Sequence, residues 1–117
     1  RFVSAIDLIQ VDRLRRLWMQ AMHEAFEGVD LVIGPNFSSG MLTTTNFTGH
    51  PSLVMRAGFQ DTKPRSIFGQ PQDETADTAR TPVAISLWAP LFQENTLLSF
   101  GATLEDALDI AGERPSL

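Results

Sequence analysis

Few residues of this 117-residue chain could do chemistry. It holds no cysteine, which removes disulfides, thiolate metal sites and Cys nucleophiles together. The two histidines, His23 and His50, stand far apart. Neither has a second histidine at i, i+4 of the kind a helix-borne zinc site uses, so no metal is expected, and no motif calls for a cofactor. Lys63 is the single lysine. Its setting, Asp61-Thr62-Lys63-Pro64-Arg65, is a charged loop rather than the apolar strand end that would hold a desolvated, neutral base. Ser38-Ser39-Gly40 offers paired hydroxyls but lacks the flanking glycines that would build an oxyanion hole, and reads as a plain loop. In Asn46-Phe47-Thr48-Gly49-His50-Pro51, His50 could titrate at about pH 6.5. No Ser or Cys partner is placed beside it by the sequence, so it reads as a hydrogen-bonding structural residue. Asn46 and Thr48 suit a polar turn leading into a strand, where short side chains tie down backbone groups.

Five elements must position these residues. Ile6, Ile9, Leu14, Leu17, Trp18, Ala21, Met22, Ala25 and Phe26 recur at three- and four-residue steps, which predicts an amphipathic helix over residues 5–27 with Trp18, Met22 and Phe26 in the core. Ser4 followed by Asp7 is a weak capping box, and Gly28 stands where a left-handed residue would end the helix. Val29–Ile33, closed by Gly34-Pro35, predicts a strand too apolar to have a wet face and so placed inside a sheet. The Ser, Thr, Asn and Gly between Asn36 and Thr48 predict a connection with at most one helical turn. Leu53–Met55 and Pro82–Trp88 predict two antiparallel strands joined by a long surface loop, 60–81, that carries most of the mid-chain charge. Gln93–Ala111 predicts a second amphipathic helix. Gly101 lies on its apolar stripe, at a cost of about 1 kcal/mol in helix propensity, which suits a helix backbone pressed against a sheet.

The 14 acidic residues outnumber the 9 basic ones, for a net charge of -5. That balance argues against a general grip on nucleic acid or anionic lipid. Arg13, Arg15 and Arg16, with Asp12 and Glu24 nearby, read as a solvated face. No apolar run reaches the roughly 18 residues of a membrane span, and no signal peptide opens the chain, so a cytoplasmic setting is expected. The Asn-x-Ser/Thr matches at Asn36 and Asn46 are then chance. A start at Arg1, with a helix under way almost at once, suggests a segment of something longer.

The run Asn46-Phe47-Thr48-Gly49-His50-Pro51-Ser52-Leu53-Val54-Met55-Arg56-Ala57-Gly58-Phe59, then Pro82–Trp88, then Phe92-Gln93-Glu94-Asn95-Thr96-Leu97-Leu98, resembles the C-terminal part of the amidase signature family. Asp30–Pro35 and the helix before it match that family's upstream helix and strand end. The resemblance implies an α/β fold with a mixed sheet, about three strands of it here, flanked by two amphipathic helices. It also implies amide hydrolysis or transfer by a Ser, cis-Ser, Lys triad lying upstream of this region. The chain would then be a single segment, 1–117, that holds scaffold and one wall of a substrate cleft, with Asn46, Thr48 and His50 as cleft candidates and no catalytic residue of its own. Its partner would be the missing N-terminal part. Exposed sheet edges would favour self-association, and a small amide would be bound only by the full enzyme. The alternative is a non-catalytic, truncated homologue that serves as an oligomerising module. Three features depart from the family pattern: Arg56 stands where proline is usual, Trp88-Ala89-Pro90-Leu91 replaces a common Ile-Gly-Arg-Pro, and loop 60–81 is much longer. Glutamine-dependent tRNA amidotransferases carry an acid shortly before the Asn-x-(Thr/Ala)-Gly block, whereas Ser38–Thr45 has none.

Overall fold

The computed structural model describes residues 2–36, 39–63 and 77–114. Six elements follow in order: α1 (Ala5–Ala25), β1 (Val32–Pro35), α2 (Ser39–Thr48), β2 (Ser52–Thr62), β3 (Ala79–Trp88) and α3 (Glu94–Leu108). The expected α/β class is observed, with three strands in one sheet of order β1-β3-β2, both pairings antiparallel.

At the start of α1 both halves of the capping box form. The Asp7 amide donates to Ser4 Oγ at 3.1 Å, and the Ser4 amide to Asp7 Oδ2 at 3.3 Å. Beyond the helix, Gly28 adopts φ +82°, the left-handed value expected of it. The strand predicted at Val29–Ile33 starts later, because the Val29 amide is still closing a turn onto the Phe26 carbonyl. It is also an outer strand rather than an inner one, with Ile33 half exposed. The central position belongs to β3, where Ser86, Leu87 and Trp88 are all buried because both faces are covered.

One of those faces carries α3. Leu87, Ala89 and Leu97 form the core, with Leu53, Met55 and Ile85 packed around it. Each buried Leu contributes about 1.5–3 kcal/mol. Gly101 is buried, and a Cβ built on it would run into the Leu53 side chain and meet Leu87 as well. The glycine is therefore the contact point between helix and sheet. On the opposite face, the ring of Trp88 lies against Gly34, where an added Cβ would sit 2.9 Å from it.

Two expectations need correction. Residues 39–48 form a ten-residue helix rather than a connection. Four threonines there would ordinarily weaken a helix, but Thr45 and Thr48 donate their hydroxyls to the carbonyls of Met41 and Thr44, each at 2.8 Å. The long loop is also shorter than 60–81, since β2 runs to Thr62 and β3 begins at Ala79. Its charged middle, including Pro64, Arg65, Pro71, Asp73 and Glu74, lies outside the described residues.

The apolar stripe of α1 is present but finds little to cover it. None of its 21 residues is buried. Ile6 is 71% exposed, Ile9 56% and Leu17 59%. Of the three residues expected in the core, Phe26 alone is buried, at the helix end; Met22 is partly covered and Trp18 is 46% exposed. The radius of gyration is 18.6 Å, whereas a compact domain of this length would have about 13 Å.

Candidate functional site

The residues singled out from the sequence meet where α2 turns into β2. Helix α2 ends at Thr48, and Gly49 takes φ +85° to reverse the chain. The amides of Gly49 and His50 both donate to the Thr45 carbonyl, at 2.8 and 3.1 Å. The turn brings His50 back beneath the helix it has just left. Thr48 Oγ1 and His50 Nδ1 lie 2.7 Å apart, both residues buried.

Proton counting assigns the imidazole. The Thr48 hydroxyl has one proton, and at 2.8 Å the Thr44 carbonyl accepts it. The second bond then needs a proton from His50 Nδ1, which leaves Nε2 as the unprotonated nitrogen of the neutral ring. Burial acts in the same direction. Desolvation penalises the charged ring and lowers the His50 pKa below its usual 6.5.

A hydroxyl next to an imidazole is the arrangement of a nucleophile and its base. Thr48 is nevertheless fully buried, and its proton is held by a backbone carbonyl. The pair is built to hold the turn, and no substrate carbonyl can reach Thr48 Oγ1. Asn46, two residues earlier, is exposed on α2. The three residues share one turn, but Asn46 alone offers its side chain to solvent.

Helix α1 fixes this turn from outside. The Phe26 ring stacks on His50 with centroids 5.5 Å apart and an interplanar angle of 13°. Trp18 meets Phe47 edge-on at 5.5 Å. Arg15 Nε donates to the Phe47 carbonyl at 2.8 Å, so a cation from α1 serves the C-terminal end of α2, whose own last turn has no basic residue. Arg15 stays on the solvated face that its sequence neighbourhood predicts, 3.9 Å from Asp12, while also making this contact. Its spacing from Phe47 carries no local signal that could have revealed the contact.

Ser38 lies outside the described residues, and Ser39 opens α2. Lys63 follows the last residue of β2. Among the described residues no group of three or more His, Asp or Glu side chains could hold a metal ion, and no helix is long and apolar enough to cross a membrane.

A three-stranded antiparallel sheet under one helix, with a Gly-His turn held by a second, defines a mixed α/β scaffold. Two proteins resemble this chain along most of its length. Over 109 residues it is 29% identical to the A subunit of glutamyl-tRNA(Gln) amidotransferase from Synechococcus sp. (strain RCC307), covering 91% of this chain and 22% of that protein. Over 120 residues it is 28% identical to the protein of the same name from Pseudomonas putida (strain W619), covering 86% of this chain and 21% of that one. The chain therefore spans about a fifth of the length of the curated relatives it matches. No family model matches it, and no solved structure does.

Proposed function

We propose that this chain is the C-terminal scaffold segment of an amidase-signature enzyme. In this reading residues 1–117 form one structural segment. The Ser, cis-Ser, Lys triad lies outside it, and the Asn46–His50 turn contributes to one wall of the cleft that takes a small amide. Asn46 faces the cleft, while Thr48 and His50 set the shape of the turn behind it. The whole enzyme is cytoplasmic, and the chain alone is inert. Attack of an activated serine on the amide carbonyl, acyl-enzyme formation and release to water or an amine would all be performed by residues elsewhere.

One observation carries this reading: some nine-tenths of the chain aligns with only about a fifth of two amidotransferase proteins. The uncovered stripe of α1 supports it, because an amphipathic helix left without a partner is an interface. An amide-hydrolysis assay tests the reading with two proteins, the chain alone and the longest open reading frame that contains it. Turnover is expected from the longer protein and none above buffer from the chain. Turnover by the chain itself, abolished by Ser39→Ala, would overturn the assignment.

The second reading, a non-catalytic homologue that self-associates, draws on the free sheet edges, where Ile33 of β1 and Val54 of β2 are large apolar residues about half exposed. It predicts a reading frame without the upstream Ser, cis-Ser, Lys triad, and dimers or larger species in light scattering.

A further inference from the structure

The sheet is three strands wide over only half its length. Strand β1 stops at Pro35, opposite Ile85, so among the described residues β3 has only β2 as a paired strand from Ala84 back to Ala79. A two-stranded ribbon is marginal in water unless something packs on it. The register shows what does. Residues Arg56 and Gly58 pair with the successive residues Ala84 and Val83, so Ala57 is an extra residue in β2, a β-bulge. Side chains alternate along a strand, and residues 56 and 59 would ordinarily face opposite ways. The extra residue shifts the phase and puts Phe59 on the face of Arg56. Arg80, paired with Asp61 two residues further on, shares that face.

The three side chains converge there. The Arg56 guanidinium lies 5.2 Å from the centre of the Phe59 ring and that of Arg80 4.6 Å. Both then reach the segment that follows α3. Arg56 donates to the carbonyls of Ile110 at 2.5 Å and Glu113 at 3.2 Å, and Arg80 donates to the Glu113 carboxylate at 2.6 Å. The chain enters this segment through Asp109, at φ +49°, which turns it off the helix axis.

We propose that Arg56, Phe59, Arg80 and Glu113 form a clasp through which the segment after α3 holds the outer half of the β2–β3 ribbon, and that this half is ordered only while the clasp is closed. The inference does not depend on the amidase reading. Arg56 is its main tie, since its bonds are partly buried and join two backbone carbonyls that have left the helix. The Arg80–Glu113 pair is more exposed and so weaker.

Hydrogen exchange on the full chain tests the clasp by comparing two halves of the same strands. In Arg56→Met the amides of Phe59–Thr62 and of Arg80, Thr81 and Val83 should exchange about tenfold faster, while those of Ile85–Trp88 stay within about twofold of the parent. In Glu113→Gln, a substitution gentle enough to leave the fold intact, the same outer amides should exchange about two- to threefold faster. If neither variant changes the outer amides, or if both halves speed up together, the proposal is overturned.

Discussion

The two long helices of this protein follow the same sequence rule and meet opposite fates. Helix α3 sets an apolar stripe against β2 and β3 so closely that its contact residue is a bare glycine. Helix α1, six residues longer, carries a stripe of the same kind and buries only its last member, Phe26, at the helix end. Periodicity reports that a face is meant to be covered, but it does not identify the cover. For α3 the cover lies within the 117 residues. For α1 the ring and side-chain hydrogen-bond contacts to other elements among the described residues, through Arg15, Trp18 and Phe26, go to the α2–β2 turn and leave most of the stripe exposed. The first helix is held at its task by one turn, the second by a whole sheet.

Substitutions can sharpen this contrast, and the largest effect should come from the packed side. Leu87→Ala empties a fully buried site in the middle of the sheet and should cost about 3 kcal/mol in urea unfolding. A loss of under about 1 kcal/mol would mean that this core is no better packed than α1. Gly101→Ala comes next. It gains about 1 kcal/mol of helix propensity and pushes Leu53 out of place, at a cost of about 1–3 kcal/mol. The net should be destabilising by about 1 kcal/mol, and adding Leu53→Ala should be less than additive, because the clash is relieved.

The turn between the two regions should respond more weakly. Thr48→Val keeps the shape and removes the bond to His50, leaving an imidazole nitrogen without its partner, for about 1 kcal/mol. The same site has a pH signature. His50 has a lowered pKa in the folded chain, so its neutral form is favoured there. The stability this contributes is complete above the unfolded value of about 6.5 and is lost as pH falls through about 6.5 toward the folded value. Urea midpoints measured from about pH 8 down to about pH 5 should therefore decline, and the decline should be shallower in His50→Gln. Smallest of all is Leu17→Ala on the open stripe, expected within about 0.5 kcal/mol for the chain alone. If the stripe is an interface, the same change in the longest reading frame should cost about 2–5 kcal/mol. An equal, small effect in both would remove the reason for calling α1 an unmet surface.

What can be read from the sequence follows from range. The cap Ser4–Asp7, the left-handed Gly28 and the stripe of α3 with its glycine are signals within a few residues, and all three are observed. Helix α2 is not legible, because Ser, Thr, Gly and Asn argue for a loop. The residues that make it a helix act through backbone bonds to preceding carbonyls and through Trp18 and Arg15, some thirty residues away. At the candidate site, the sequence marks His50 as a hydrogen-bonding residue, and the bond is to Thr48. Its stacking partner Phe26 reads as a core residue, with no indication that the core is an imidazole. Arg56 stands out in the sequence only as a departure from a family proline. The bulge that aligns it with Phe59 depends on pairing with β3, which no property of β2 alone predicts.

The chain has two tryptophans, and they fall one to each region. Trp88 is 2% exposed against Gly34, and Trp18 is 46% exposed on α1. Their fluorescence should therefore separate. A blue-shifted emission shielded from iodide would report the sheet, and a red-shifted, readily quenched one the open helix. Anything that settles onto α1 would then announce itself by protecting the second emission alone, with no label attached.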